Sequence, residues 1–436
     1  MKKISILIAA FMILSCGCTN ISGSVPVTPE TVTAGTSETS AKPVTEEAVE
    51  AVIYIDEDKI ESEEEPFRAE PEKPAEPAAV NIVCAGDNLI HTPIYRIAKE
   101  ITGGEGYNFA PAYEHLGTLI SDADLAILNQ ETIISDDFEP DTYPTFCTPT
   151  EMARDMIALG FDAFSISNNH VLDKGEAGLK STLNFWRENY PDNPVYGAYL
   201  SEEDMNNIRT LDVNGIKFAF LGYMDHTNGI GLMPDSECRI TYLSNEERIE
   251  QQVRKASEIA DCVIVSVHFG IEVSNIVCEQ QYEMSQKLAD WGADIIIGTQ
   301  PHTVQTMEYL DTADGRKAFV FYCLGNLIST MDVPASMAEM LGEITVTKDP
   351  ADGKITLSNA KAVPLVDHFD RSYSYVGVYP LDQYTPAMAE VHAISGVSYD
   401  YILGIFHDNI PEEYLDEPYR SIIYGNEETD SAGGTQ

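Results

Sequence analysis

Short apolar runs recur along the chain from about residue 80, and polar stretches separate them. The runs are enriched in Ile, Val and Phe, which is typical of strands that are buried on both faces. They comprise Val80–Cys84, Leu125–Leu128, Phe161–Ser167, Ile216–Leu221, Cys262–Val267, Ile295–Ile297 and Ala318–Cys323. This pattern predicts a series of buried strands.

Segments with helical spacing lie between several of these runs. They cover Thr148–Leu159, Gly175–Tyr190, Asn245–Ala260 and Glu279–Trp291. Ser244–Glu247 fits a capping box before the third of them. The alternation of strands and helices predicts an α/β domain over residues 80–365.

The pattern changes toward the C-terminus. Asp349–Gly353 lies between two short apolar stretches and predicts a hairpin turn. Beyond residue 365 the pattern weakens, so residues 366–436 are predicted to be a C-terminal extension. Helices are expected there over Asp382–Ile394 and Tyr399–Phe406.

The first 18 residues have the features of a lipoprotein signal peptide. Two lysines precede an apolar run, Ile4–Leu14, which is too short for an ordinary spanning helix. Cys16 is the predicted lipidation site because Ile13-Leu14-Ser15 precedes it. Cys18 and a plain secretory signal are the alternatives. The prediction is an exported protein, lipid-anchored to the outer face of the cell membrane.

Residues 19–79 are rich in Pro, Ser, Thr and Glu and offer almost nothing that a core could bury. They are predicted to be a disordered acidic tether. The net charge of the whole chain is −45. Such a chain does not attract nucleic acid through a general electrostatic field. An anionic polymer would also be repelled unless a cation or a local basic patch intervenes.

The eight cysteines do not follow a disulfide or zinc-binding spacing in the mature domain. Cys84, Cys262 and Cys323 lie inside apolar runs, where cysteine behaves as a small buried residue. The remaining three of the domain, Cys147, Cys238 and Cys278, lie in less regular segments. One disulfide among these three is compatible with the sequence.

Polar side chains follow the predicted strands where the strands end. They are carboxylates, amides and imidazoles, namely Asp87, Asn129, Glu131, Asn168, Asn169, His170, His268, His302 and Asn326. The carboxyl ends of the strands of an open α/β sheet meet at one edge, where ligands bind. This mixture of side chains also suits a hard or borderline divalent metal. Gly86 is expected to let the backbone turn so that Asp87 faces the site.

Six segments in this order resemble the CapA family of bacterial capsule synthesis proteins. They are Ala85–Asp87, Asn129–Glu131, Asn168–Gly175, His268–Glu272, Gly298–His302 and Leu324–Asn326. The family is associated with poly-γ-glutamate and is distantly similar to calcineurin-like metallophosphatases. The resemblance implies a metallophosphatase-like layered fold with central β-sheets flanked by helices.

The resemblance also implies roles for individual residues. The metal ligands would be Asp87, Glu131, Asn169, His268 and His302, with Glu131 bridging two ions. His170 would be the general acid, and Asp173 would orient it or a backbone turn. Positions near the substrate or behind the ligands would be His91, Asn129, Asn168, Asn228, Glu272, Gln300 and Asn326. Glu272 is expected to hydrogen-bond the His268 ring.

Gln300 is the main departure from the family pattern, which has His-Pro-His where this chain has Gln300-Pro301-His302. An amide oxygen suits manganese or magnesium better than zinc. The sequence therefore leaves open Mn, Zn or Mg, as one ion or two.

The first functional hypothesis is a surface-anchored protein of capsule or poly-γ-glutamate synthesis, export or attachment. It would act as a metal-dependent hydrolase or transferase. Its partners would be an anionic surface polymer such as poly-γ-glutamate, membrane synthase subunits and the membrane through its lipid anchor. The alternative is a non-catalytic assembly or polymer-binding factor with a degenerate site. A general phosphoesterase is a third hypothesis, which rests on the distant resemblance alone.

Overall fold

The computed structural model describes residues 76–425, all of which lie within one structural unit. The predicted signal peptide, Cys16, Cys18 and nearly all of the tether fall outside the described residues, as do residues 426–436. None of the helices in the described part is long and apolar enough to cross a membrane.

The strands of the described region are numbered in chain order. They are β1 Ala78–Asn88, β2 Leu125–Asn129, β3 Ala163–Ser165, β4 Val195–Tyr196, β5 Ala198–Tyr199, β6 Arg209–Val213, β7 Ile216–Met224, β8 Arg239–Ile240, β9 Cys262–His268, β10 Ile295–Thr299, β11 Met307–Asp311, β12 Lys317–Phe321, β13 Asn326–Ile328, β14 Ala338–Lys348, β15 Ile355–Phe369 and β16 Val376–Pro380. Each of the seven predicted runs overlaps one of them.

The α-helices are numbered in the same way. They are α1 Thr92–Ile101, α2 Gly117–Ser121, α3 Glu151–Leu159, α4 Gly175–Asn189, α5 Glu202–Asn206, α6 Glu246–Ile259, α7 Glu279–Trp291, α8 Pro386–Val391, α9 Tyr399–Asn409 and α10 Tyr419–Tyr424. Short 3₁₀ helices cover Ala110–Leu116, Pro334–Met337, Leu381–Gln383 and Glu412–Tyr414.

Two mixed sheets form the centre of the fold. The first has the order β16-β15-β14-β1-β2-β3-β4, with β13 also paired to β1. The second has the order β11-β12-β10-β9-β7-β6, and β5 and β8 form a small separate pair. Strands β1 to β4 are mutually parallel, as are β7, β9, β10 and β12. The carboxyl ends of each parallel group therefore lie at one edge of its sheet.

The two sheets pack face to face, and helices cover their outer faces. Along β9, Cys262 and Ile264 belong to the core between the sheets, whereas Val263 and Val265 pack in a second core with α6 and α7. This alternation follows from the two-residue period of a strand. The predicted α/β fold with central sheets flanked by helices is confirmed. The same alternation places His268, at the end of β9, on the face toward the first sheet.

The C-terminal region is joined to the first sheet. The predicted boundary between residues 365 and 366 falls inside β15, which pairs with β14 on one side and β16 on the other. The first part of the predicted extension is therefore an integral part of this sheet. The hairpin between β14 and β15 is confirmed. The predicted helix over Asp382–Ile394 is shorter, because only Pro386–Val391 is α-helical.

Two local predictions need correction. The cap of α6 is Asn245, whose side chain accepts a hydrogen bond from the backbone of Arg248, so the helix begins one residue later than the predicted capping box implies. The six cysteines of the described region are all free, including Cys147, Cys238 and Cys278. None of these three forms the disulfide that the sequence allowed.

Candidate metal centre

The ends of four strands and the start of a fifth bring the candidate side chains together. In the first sheet, Asp87 of β1 is in register with both Asn129 of β2 and Asn326 of β13. In the second sheet, His268 of β9 is in register with Thr299 of β10. Because the sheets face each other, these two edges enclose one polar cluster.

Asp87 is fully buried and lies at the centre of this cluster. Its Oδ1 accepts a hydrogen bond of 2.6 Å from Nδ2 of Asn129. Its Oδ2 accepts from the backbone N–H of Gln300 at 3.3 Å and lies 3.1 Å from Nδ1 of His302. Asn129 therefore orients the carboxylate, and its own Oδ1 has no hydrogen-bond partner.

Glu131 is the least satisfied group of the cluster. Its side chain is fully buried, and neither of its carboxylate oxygens has a hydrogen-bond partner. Three imidazole nitrogens surround Oε1, namely Nε2 of His268 at 3.6 Å, of His302 at 3.8 Å and of His170 at 3.9 Å. Leaving a carboxylate buried without a partner is costly. A cation bound between these groups would remove that cost.

His302 is held by a hydrogen bond on the side away from Glu131. Its Nδ1–H faces two acceptors, Oδ1 of Asn326 at 2.9 Å and Oδ2 of Asp87 at 3.1 Å, so Nε2 faces Glu131. The backbone that presents it is unusual, because Gln300 and His302 have φ angles of 99° and 55°. Non-glycine residues in this region are uncommon and cluster at functional sites.

His268 is buried and bonded at both ring nitrogens. Nδ1 lies 2.8 Å from Oγ1 of Thr299, and Nε2 lies 3.1 Å from Oδ1 of Asn169. Glu272 does not contact the ring as expected, because its Oε1 accepts from Nε2 of Gln300 at 3.2 Å. Thr299 is thus the residue that orients His268, and the sequence analysis missed it. The signal was a hydroxyl two residues beyond the predicted strand Ile295–Ile297.

His170 lies opposite Glu131 and is held by its neighbours along the chain. Its Nδ1 is 2.7 Å from Oδ2 of Asp173, and its backbone N–H donates to Oδ1 of Asn168. The same Oδ2 of Asp173 accepts from the backbone N–H of Phe146 at 2.5 Å. Asp173 therefore orients both the ring and the adjacent backbone, the two roles that the sequence left open.

The charged groups of the cluster shift one another's pKa values. Burial raises the pKa of Asp87, but the hydrogen bond from His302 and the charges of His268 and His302 outweigh it and lower that pKa. Burial and the Asp87 charge raise the pKa of Glu131 well above its usual value. Burial opposes protonation of His302, yet Glu131 and Asp87 raise its pKa to about 10. Without a cation, protons therefore offset the charge of these carboxyl groups.

The remaining predicted residues lie around the cluster. Gln300 is buried, and its Oε1 has no partner. His91 is partly buried and packs edge-on against Phe146, at 5.2 Å between ring centroids. Burial lowers the pKa of His91 to about 4. Asn228 is exposed, with Oδ1 3.5 Å from Nδ2 of Asn169.

Asp87, Glu131 and His302 can together hold a metal ion. One ligand atom from each lies within 4.8 Å of the others, and all three residues are buried. Two carboxylates and one imidazole are suitable ligands for Mn²⁺, Zn²⁺ or Mg²⁺. His268 and Asn169 lie beside this group and hydrogen-bond each other.

The sequence of this region matches a known family. Residues 81–331 match the model described as bacterial capsule synthesis protein PGA_cap. The chain belongs to this family. The PGA_cap match includes every one of the cluster residues described above.

Two characterised proteins resemble part of this PGA_cap chain. The capsule biosynthesis protein CapA of Bacillus anthracis is 31% identical over 173 residues, which are 39% of this chain and 40% of that protein. The PGA biosynthesis protein CapA of Bacillus subtilis (strain 168) is 29% identical over 182 residues, which are 42% of this chain and 46% of that protein. Each match thus spans less than half the length of the relative.

Two solved structures of lower sequence identity are also similar to this chain. A phosphatase from Mycoplasma pneumoniae has a TM-score of 0.40 and 12% identity, with 67% of this chain and 95% of that chain covered. A 5'-nucleotidase from Candida albicans SC5314 has a TM-score of 0.35 and 13% identity, with 67% and 53% covered.

Proposed function

We propose that this PGA_cap protein is anchored at the cell surface and acts in the synthesis, export or attachment of capsular polymer such as poly-γ-glutamate. It does so through a divalent metal centre. Membership of the family supports the biological role. The observation that carries the metal centre is Glu131, a buried carboxylate with no hydrogen-bond partner, facing Asp87 and His302.

Asp87, Glu131 and His302 would hold the ion, with Asn129 and Asn326 orienting two of these ligands. A bound divalent ion polarises a carbonyl or phosphoryl oxygen and lowers the pKa of a coordinated water. The substrate class that fits is an amide, or a phosphate or similar anionic group, of the polymer. The overall charge of −45 repels such a polymer. A cation at the centre would supply local attraction.

His170 would serve as the proton donor of the reaction. The Asp173 carboxylate accepts from Nδ1 at 2.7 Å, which fixes the ring and directs Nε2 toward Glu131. This is the arrangement by which a buried carboxylate orients a catalytic histidine. In amide hydrolysis, the oxygen of a water molecule would bond to the carbonyl carbon, and Nε2–H would protonate the leaving nitrogen as its bond to that carbon breaks; the proton that the water loses would return to Nε2.

One observation favours the alternative, a non-catalytic assembly or polymer-binding factor. Gln300 stands where the family has an imidazole, and its Nε2–H donates to Glu272, which leaves an amide oxygen in place of an imidazole nitrogen. A site with fewer ligands would bind metal less tightly. The protein would then bind the polymer or membrane synthase subunits without catalysing a reaction on them.

The first experiment is elemental analysis of the purified full chain with two ligand variants, Asp87→Ala and His302→Ala. Asp162→Asn is the matched control, because this carboxylate accepts from the Ala126 backbone near the starts of β2 and β3, at the opposite edge of the sheet. We expect about one or two equivalents of metal in the wild type and the control. Both ligand variants should lose it.

A wild-type protein that is empty, and that ignores added Mn²⁺, Zn²⁺ and Mg²⁺, would refute the metal centre and leave the assembly role. Surface anchoring has a separate test. Cys16→Ala should release the protein from the membrane fraction, whereas Cys18→Ala should not. Equal retention of both variants would argue against lipidation at Cys16.

A further inference from the structure

A second buried carboxylate lies behind the metal cluster. Glu339 is on β14 between Ala338 and Met340, and its side chain is fully buried. Its Oε2 accepts a hydrogen bond from the backbone N–H of Asn326. A fully buried acid near the start of a strand is rare unless it has a specific partner.

Gly325 makes this contact available. Its φ angle is 78°, and a Cβ built on it would lie 2.0 Å from Oε2 of Glu339. Any side chain at this position would therefore displace the carboxylate. The glycine of the Leu324–Asn326 segment is needed for two reasons, its left-handed backbone and the close approach of Glu339.

Asn326 connects this carboxylate to the cluster. Its backbone binds Glu339, and its Oδ1 accepts from Nδ1 of His302 at 2.9 Å. Its Nδ2 donates to Oγ of Ser329 at 3.2 Å and to the backbone carbonyl of Ser336 at 3.5 Å, and this carbonyl, which can only accept, fixes which end of the amide faces the histidine. Neighbours of this kind determine the orientation of a ligating imidazole.

We propose that Glu339 is a positioning residue for the metal centre. By holding the Asn326 backbone, it places the Asn326 carbonyl on His302 Nδ1 and so turns His302 Nε2 toward the metal. The inference rests on the proposed metal centre. Its structural part, the orientation of His302, can be measured without any metal.

Asp367 provides a matched control for simple loss of a buried carboxylate. It is fully buried on the adjacent strand β15, and its Oδ2 accepts from the backbone of Ser329 at 2.6 Å. It thus resembles Glu339 in burial and in binding the same loop. It does not contact Asn326.

The test compares Glu339→Ala, Glu339→Asp, Glu339→Gln and Asp367→Asn in the full chain. Affinities for Mn²⁺ alone and Zn²⁺ alone are measured by calorimetry. The His302 Nδ1–H proton is followed by NMR in the metal-free proteins, because a proton held by Asn326 exchanges slowly with water. We expect Glu339→Ala and Glu339→Asp to weaken metal binding about 10- to 100-fold and to lose the slow proton.

Glu339→Gln, whose amide oxygen can still accept, should restore the slow proton and most of the affinity, and Asp367→Asn should keep both. Wild-type affinity and a slow proton in Glu339→Asp would overturn the proposal, as would equal losses in Asp367→Asn. If Glu339→Ala does not fold, Glu339→Asp decides. A wild type that binds no metal refutes the proposed centre, whereas the proton signal still decides the role of Glu339.

Discussion

Replacing Gly86 by alanine should damage the metal centre through steric contact alone. Gly86 precedes Asp87 and does not have a positive φ angle, so the sharp turn expected from the sequence is not the reason for glycine here. The reason is close approach. A Cβ on Gly86 would lie 2.0 Å from the carbonyl oxygen of Gly325, which accepts the Asp87 backbone N–H at 3.0 Å.

The size of the effect follows from this distance. Real Cβ atoms essentially never come closer than 3.0 Å to such an atom, so β1 and the Gly325 loop must separate by at least 1.0 Å, the difference between 3.0 and 2.0 Å. Forcing a methyl group into a packed site costs about 1–3 kcal/mol. Because both strands carry cluster residues, Asp87 and Asn326 move apart, and a shift of about 1 Å can reduce function on the order of 100-fold.

The assay has two parts. Urea unfolding of metal-free Gly86→Ala should give a lower free energy of unfolding, and calorimetry with Mn²⁺ should give an affinity lower by about tenfold or more. Gly117→Ala is the control, because its backbone is helical and a Cβ there meets nothing within 4 Å. That variant should be equally or more stable, by up to about 1 kcal/mol, because alanine favours the helix.

Unchanged stability and metal affinity in Gly86→Ala would refute the steric argument. A loss of stability with unchanged affinity would show that the two strands separate without disturbing the ligands. Equal losses in both glycine variants would mean that the assay responds to any added methyl group.

Three further predictions concern single side chains. Asp173→Ala removes the oxygen that accepts from both His170 Nδ1 and the Phe146 backbone, so we expect ring ¹⁵N NMR to show that His170 is no longer fixed in the Nδ1–H tautomer, and metal content to be unchanged. Burial raises the pKa of Asp294 to about 6. The protonated side chain therefore contributes fully to the free energy of unfolding below about pH 4, and this contribution is lost as the pH rises through about 6. Urea unfolding midpoints measured from pH 4 to 7 should show this loss in the wild type and not in Asp294→Asn. Gln300→His should raise Zn²⁺ affinity about tenfold by calorimetry, because an imidazole binds zinc better than an amide; unchanged affinity would mean that residue 300 does not reach the metal.

Much of the site could be predicted because its residues occupy strand ends. Asp87, Asn129 and His268 are among the last two residues of their strands, and parallel strands bring their carboxyl ends to one edge, whereas Asn326 begins a strand that pairs with β1 at Asp87. The spacing of apolar residues and the order of the strands along the chain are sufficient for this inference. The same reasoning could not identify which of these side chains lie close enough together to bind one metal ion, because distances between strands of different sheets depend on how the two sheets pack.

The hydrogen-bond partners of the site residues could be predicted less well from the sequence. Glu272 is close to His268 in sequence, whereas Thr299 lies on the neighbouring strand. Only the register of β9 with β10 shows that Thr299 contacts the ring. Glu339 lies 13 residues after Asn326, outside the motifs, and reaches the site because the start of β14 folds back beside the Leu324–Asn326 segment, where the Met340 N–H donates to the Leu324 carbonyl at 2.9 Å.

The sequence by itself determined the elements, the α/β class and the residues that gather at one edge of the sheets. These properties depend on side-chain period and chain order, which are local. Only the tertiary structure decided that Asp87, Glu131 and His302 form the compact group, that Gly86 serves close approach, and that a carboxylate of β14 supports the site. These depend on contacts between strands that are distant along the chain, and hydrophobic pattern does not encode their atomic distances.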